Sequence, residues 1–484
     1  MELGNDEAYY WLYSQWLQWN YFDHPPLVAL WVRLFTFNLH GQDYEGLVRL
    51  GSVLGGAASS WFLYKAVSEL HSPKAGWLAA CLYHASFYAG ITAGLFIMPD
   101  SPQMVFWTFS LWMLARICTD DRPWTNWLLL GTAAGLCIMS KVHGVFIWVG
   151  LGAFLLLKKR NWLTNPRLYA ALLLTVLIAS PILLWNIRYE FITYRFHSER
   201  VITSQFPIDL GRFLGEVAGQ IAFNNPFNVA LIVAALVYWR RRRLELRENL
   251  LLFALIGLPL PIILLYLSLY RDTMIYWSGP GYVALLPLAA IHLAESTQKQ
   301  GWPRLHRWSL GTFFFVLTGW ALVVHLFPGT WGSKKPQTLG EGDLSLDVYG
   351  WRQAGERFGE FYRSEVARGL MPAGAPLVCY KWWGAHIEYY FGRPLGTGAI
   401  GLGSINNLHH YLWLNARRQP KVNLSRAYCI VPSDETYDVA RRYSGYYRHI
   451  SLVKVISILR RNAPAHNFYV YRLMGWKNQL PVVH

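Results

Sequence analysis

Apolar residues in this chain come in continuous blocks of roughly 16–25 positions, each about one bilayer crossing long. That spacing constrains the fold more than any other feature. We read ten blocks, near 44–70, 75–97, 101–117, 124–140, 142–157, 168–187, 227–239, 250–270, 275–295 and 308–327. The pair around Lys141 can also be one broken helix. The expected fold class is an α-helical polytopic membrane protein with about 10–11 transmembrane helices over residues 1–330, and a small C-terminal α/β extracytoplasmic domain over 331–484. Apolar residues make up 54% of the 484 positions and charged residues 15%, which suits that class. A formal charge of +16 would also suit a nucleic-acid binder, but much of it is explained by membrane topology and not by one patch.

Lys and Arg collect in cytoplasmic loops. Three clusters stand out: Lys158, Lys159, Arg160 and Arg167; Arg240 to Arg243 with Arg247; and Lys299, Arg304 and Arg307. With all three inside, Asp6, Asp100, Lys141, the loop 188–226, Arg271 and everything after residue 328 face outside. The chain then begins outside with no apolar segment before it, so a first helix is expected upstream of Met1. The implied location is the cell inner (cytoplasmic) membrane, with the polar site and outer domain on the extracytoplasmic side.

Acidic groups at the lip of a bilayer are costly unless they face water, a partner or a substrate. Asp6-Glu7 opens an aromatic segment that Asp23-His24-Pro25-Pro26 closes, and Pro99-Asp100-Ser101-Pro102 lies between two apolar blocks. Residues 8–22 place Tyr9, Leu12, Trp16 and Trp19 on one helical face, which predicts a helix lying in the interface plane. The loop 188–226 keeps Arg195, Arg200 and Arg212 outside, against the positive-inside bias. They either bind an anionic headgroup or pair with Glu190, Glu199, Asp209 and Glu216.

Beyond Pro328, helical periodicity over 345–369 and strand-like runs at 376–380, 426–431, 450–457 and 467–472 predict the outer α/β domain. Gly401-Leu402-Gly403-Ser404 lacks the strand-turn-helix setting of a nucleotide fingerprint. Of the five cysteines, Cys379 and Cys429 share an oxidising compartment, but both sit in strand-like runs that favour core thiols over a bridge. Trp351, Trp382, Trp383, Tyr389 and Tyr390 either stack on a sugar or fill the core, the commoner role.

The acidic groups can act as a general base or, as Asp6, Glu7 and Asp100 together, bind a divalent metal. Outward-facing His24, Lys141, His143, Arg195, Arg200 and Arg271 can neutralise a phosphate. Opposed acidic and basic groups in one apolar cavity fit transfer from a phosphate leaving group.

At DEAYYWLYSQWLQWNYFDHPPLVALWVRLF, MPDSP, GLCIMSKVHGVF and LLWNIRYEFITYRFHSERV the chain resembles the bacterial GT-C glycosyltransferases of family 39, which include protein O-mannosyltransferases and the lipid A aminoarabinose transferase. The resemblance runs from residue 6 to about 330. It implies a polyprenyl-phosphate-linked sugar donor, an inverting displacement and catalysis on the outer face. It assigns Asp6 as the base, Glu7 and Asp100 as acidic partners that shape the site, and Lys141 as the lysine of the family's T-K-G element. Here that element reads Ser140-Lys141-Val142-His143-Gly144, which leaves His143 without a family role. His24 stands where the aminoarabinose transferases carry Lys, so phosphate binding there depends on protonation. No cofactor is certain, and relatives differ in metal use. The acceptor is a glycolipid, a polysaccharide or a protein hydroxyl. Two rival readings use the same cavity: a polyprenyl-phosphate-glycolipid carrier or flippase, and a non-catalytic lipid-binding relative. A transporter often shows two related halves, and none is visible.

Overall fold

The computed structural model describes residues 1–37, 44–199, 207–238, 244–296, 305–418, 422–477, 480 and 481. Arg200, Arg240 to Arg243, Lys299 and Arg304 lie outside the described residues. The chain divides into two compact units: Leu17–Thr36 with Gly46–Val316, and Met1–Trp16 with Phe37–Glu45 and Leu317–His484.

Each expected apolar block is helical over most of its described length. The helices are α1 (Asn5–Gln15), α2 (Leu27–Phe35), α3 (Glu45–Leu70), α4 (Pro73–Ala85), α5 (Asp100–Thr119), α6 (Trp124–Ser140), α7 (Val145–Leu157) and α8 (Pro166–Arg188). They continue with α9 (Ile192–Glu199), α10 (Leu210–Phe223), α11 (Pro226–Val237), α12 (Leu244–Gly257), α13 (Pro259–Ser268), α14 (Gly279–Ser296) and α15 (Leu305–Leu326). Among the described residues, Pro166–Arg188, Leu246–Ser268 and Leu305–Leu326 are long and apolar enough singly to cross a membrane, and α10 with α11, bent by 98°, would make a fourth. The other blocks are shorter or less apolar helices. On α8, Leu173, Val176, Leu177 and Leu184 are each more than half exposed, an apolar surface suited to lipid. The interior of this unit is a continuous apolar cluster including Trp107, Leu111, Trp127, Leu130, Phe253 and Leu286. Packing of such side chains between membrane helices acts through van der Waals contact, since lipid is as apolar as the interior.

The expected polar loop 188–226 instead holds the whole of α9 and of α10, separated by residues that are not described. The predicted interfacial helix over 8–22 is α1 alone, and it is buried on consecutive positions from Glu7 to Ser14. The reason is aromatic packing within the second unit: Tyr9 lies 5.3 Å from Trp382, Trp11 4.8 Å from Tyr389, and Tyr13 5.2 Å from His410. The Tyr9 hydroxyl also accepts the His410 backbone N–H at 3.1 Å. This amino-terminal helix therefore folds with the carboxy-terminal chain, whereas a boundary at 330 alone would separate them.

The second unit carries a five-stranded sheet in the order β2-β1-β3-β5-β4, with β1 (Leu377–Cys379), β2 (Ala399–Gly401), β3 (Arg426–Pro432), β4 (Tyr447–Arg460) and β5 (Ala463–Trp476). β1 pairs in parallel with β2 and β3, and the β3, β5, β4 run is antiparallel. α16 (Trp351–Ala367) buries Trp351, Ala354, Gly355, Phe358, Gly359 and Tyr362, one face at helical spacing, and Phe358 meets Tyr428 of β3 edge to face. Trp351, Trp383, Tyr389 and Tyr390 are core. Gly401 does end a strand and Ser404 does cap a helix, but Ile405–Leu408 is a single turn. Both Cys379 and Cys429 are buried free thiols. The register pairs Cys429 with Val378, so strand alternation sends the two sulfurs to opposite faces.

Candidate functional site

In the membrane unit the motif Pro99-Asp100-Ser101-Pro102 starts α5. Prolines are tolerated in a first helical turn because its N–H groups have no intrahelical partner, and a carboxylate there is favoured by the helix dipole. α6 ends at Ser140, and Lys141 is extended, with φ −158° and ψ 139°, before a 3-10 turn over Val142–Gly144. Because α5 and α6 form a hairpin across residues 120–123, the first residue of one meets the residue just past the other. Lys141 Nζ donates to Asp100 Oδ1 at 3.0 Å and Oδ2 at 2.9 Å, with both side chains almost wholly buried. The Tyr88 hydroxyl donates to Asp100 Oδ1 at 2.7 Å, and Nζ lies 5.2 Å from the Tyr276 ring centre. Gly279 seats Tyr88: a Cβ there would come within 2.2 Å of its ring. Tyr88 and Tyr276 had no sequence signal, since a tyrosine inside an apolar block reads as packing or as interface belt.

His143 is half-buried. Its Nδ1 has no hydrogen-bond partner among the described residues, and its ring lies 6.3 Å from Trp277. Burial pushes the His24 imidazole down to about 4, and the nearby Lys141 cation adds to the effect. That shift disfavours the imidazolium, the form on which phosphate binding at His24 depends. Arg195 is exposed on α9 and pairs with Glu190 at 3.3 Å, the solvated alternative anticipated for this loop. Beside it, His197 Nε2 meets the Asp23 carbonyl at 3.0 Å, and Phe196 packs on Phe22 at 4.7 Å. Arg271 is half-buried in the short segment between α13 and the 3-10 turn Ile275–Ser278 that carries Tyr276.

In the second unit, Asp6 and Glu7 lie in the first turn of α1 with different surroundings. Asp6 is exposed. Glu7 is 2% exposed, and its Oε2 accepts the Gly4 backbone N–H at 2.9 Å, half of a capping box. Asp347 accepts the Asn5 backbone N–H at 3.2 and 3.3 Å. Burial, reinforced by the charges of Asp6, Glu7 and Asp434, pushes Asp347 up to about 7. His386 meets the Leu3 carbonyl through Nε2 at 2.8 Å and the Asn5 side chain through Nδ1 at 2.7 Å, and burial pushes it down to about 3. No group of three or more His, Cys, Asp or Glu side chains among the described residues is placed to hold a metal ion.

Residues 23–185, which include His24, Asp100, Lys141 and His143, match the family model described as dolichyl-phosphate-mannose-protein mannosyltransferase. A lipid A galacturonosyltransferase of Rhizobium johnstonii is 25% identical over 280 residues, 58% of this chain and 58% of that protein. An undecaprenyl phosphate-alpha-4-amino-4-deoxy-L-arabinose arabinosyl transferase of Pseudomonas aeruginosa is 28% identical over 195 residues, 39% of this chain and 29% of that protein. The matches thus span less than two thirds of these relatives' length. ArnT from Cupriavidus metallidurans superposes with a TM-score of 0.61 in its apo state, at 14% identity, covering 97% of this chain and 94% of that one. Its crystal structure bound to undecaprenyl phosphate matches with the same TM-score and coverage, at 15% identity.

The fold is therefore the GT-C fold of membrane glycosyltransferases, as the sequence resemblance implied. In sequence the chain is similar to a lipid A galacturonosyltransferase and to an aminoarabinose transferase over part of their length.

Proposed function

We propose that this chain is an inverting glycosyltransferase that moves a sugar from a polyprenyl-phosphate-linked donor to an acceptor hydroxyl, on the extracytoplasmic side of the cell inner membrane. The observation that carries this reading is the buried Asp100–Lys141 pair. Two charges held in an apolar unit are expensive to desolvate and mark function more often than stability. Asp100 engages two of the three Lys141 N–H donors and fixes the ammonium, so a phosphate oxygen can take the third.

In this reading the bond between the sugar C1 and the phosphate oxygen breaks as the acceptor oxygen bonds to C1 from the opposite face. Asp6, exposed in the first turn of α1, is the base that takes the acceptor's proton, the role the family resemblance gives it. Lys141 and Arg271 hold the departing phosphate, where charge pairing in a water-poor site counts most. His24 and the His143 imidazole, whose Nδ1 has no hydrogen-bond partner among the described residues, add hydrogen bonds to the same phosphate. The relatives' names support a glycolipid acceptor, while a polysaccharide or protein hydroxyl suits the same chemistry.

The test compares, by mass spectrometry, the envelope lipids and glycans of cells expressing this chain's full reading frame with those of cells carrying Asp6→Asn. A sugar missing only from the variant establishes the transferase and names its product. Identical envelopes would sink the reading.

A further inference from the structure

The first three turns of α10 run along the segment that carries Arg271, and the contacts repeat at helical spacing. The Asp209 backbone N–H donates to the Leu269 carbonyl at 2.7 Å. Arg212 Nη1 donates to the Tyr270 carbonyl at 2.8 Å, and its Nε lies 3.5 Å from Asp272. One turn on, Glu216 Oε2 accepts the Thr273 hydroxyl at 2.7 Å. A further turn on, a Cβ at Gly219 would lie 2.4 Å from Ile275, so the helix approaches the 3-10 turn as closely as glycine permits. Gln220 closes the row: its Nε2 donates to Glu216 Oε1 at 2.8 Å, and its Oε1 accepts the Tyr282 hydroxyl at 3.2 Å. Residues 209, 212, 216, 219 and 220 share one face of the helix.

Glu216 is the unusual member. It is 3% exposed in an apolar unit, and both side chains that donate to it are neutral. A buried carboxylate whose side-chain donors among the described residues are an amide and a hydroxyl is a costly way to join two elements that apolar packing could join. Its benefit is directional: hydrogen bonds fix where a segment sits, and apolar contacts let it slide. The fixed segment has Arg271 in its middle, gripped on one side through residue 270 and on the other through residues 272 and 273.

We propose that Glu216 and Thr273 are positioning residues that hold Arg271 in register to bind the donor's phosphate. The inference rests on the phosphate role given to Arg271 above. Neither residue touches the donor. Their effect passes through the backbone at 270–273.

The experiment measures binding of undecaprenyl phosphate to the purified full chain in nanodiscs, alongside its thermal midpoint. Thr273→Val, which keeps shape and removes the hydroxyl, is expected to weaken binding on the order of tenfold, and Thr273→Ser to restore it. Glu216→Gln follows Thr273→Val in direction. Should Glu216→Gln fail to fold, the Thr273 pair decides. In an Arg271→Ala background, Thr273→Val is expected to add nothing, because the residue acts through Arg271. Full additivity there, or undiminished binding by Thr273→Val while Arg271→Ala weakens it, overturns the positioning role. Unchanged binding by Arg271→Ala overturns it differently, by showing that the phosphate role of Arg271 itself is wrong.

Discussion

Lys141 Nζ lies 2.9 and 3.0 Å from the two carboxylate oxygens of Asp100, so each almost wholly buried residue is the other's counter-charge. Removing one partner strands a buried charge, whereas removing both does not.

Asp100→Asn and Lys141→Met are each expected to destabilise the membrane unit by about 3–5 kcal/mol, with the double variant less affected than the sum. Thermal unfolding of the detergent-solubilised chain and its variants gives the coupling. Simple addition of the two effects would show that the ion pair is not the interaction that matters.

Asp6→Asn and Glu7→Gln should separate chemistry from folding. Asp6 is exposed, so its substitution is expected to change stability by no more than about 0.5 kcal/mol, while loss of a general base costs about 10²–10⁴-fold in turnover. Glu7 caps α1 from a buried position, so Glu7→Gln keeps an acceptor for the Gly4 N–H, and Glu7→Ala should cost about 0.5–2 kcal/mol. Comparing product formation with the thermal midpoint for all three variants tests the division.

Asp347 should make stability fall as pH rises. Its folded pKa of about 7 lies above the ordinary aspartate range, so the folded state holds the proton longer than the unfolded one. Between roughly pH 4 and pH 7 that difference works against the fold, and outside the window it is constant. Asp347→Asn keeps an acceptor for the Asn5 N–H and is expected to flatten the midpoint's decline across this window, relative to wild type. A slope unchanged by the substitution would assign the pH response to other groups.

His24 works in the opposite sense. Its folded pKa of about 4 lies below the usual imidazole value of 6.5, so the unfolded state takes up the proton first and the contribution to stability rises with pH between about 4 and 6.5. Donor binding measured from pH 6 to pH 8 should show no inflection that His24→Gln removes. An inflection lost in that variant would restore the cationic role.

Continuity of the apolar blocks made the helices legible, because nothing but a spanning or buried helix accommodates such runs. The pattern of 345–369 likewise foretold α16, whose buried face repeats at the helical period. Asp100 and Lys141 were legible as candidates, since charges bordering apolar blocks are rare. The different surroundings of Asp6 and Glu7 were not: neighbours in sequence, one faces solvent and the other the Gly4 N–H, and only the helix start decides which. Nor could Tyr88 be singled out from 29 tyrosines, because its partner Asp100 and its seat at Gly279 come from different helices.

By itself, then, the sequence determined the membrane class, the order of helices, the α/β character of the carboxy-terminal chain and the pool of charged candidates. These follow from local patterning, where each residue's solvent preference and its spacing to near neighbours suffice. Tertiary structure alone decided that Lys141 meets Asp100, that α1 folds among the aromatics of the carboxy-terminal chain, and that α10 grips the segment around Arg271. Each of these joins residues dozens to hundreds of positions apart. Such contacts depend on distance and direction in space, which no periodicity along the chain encodes.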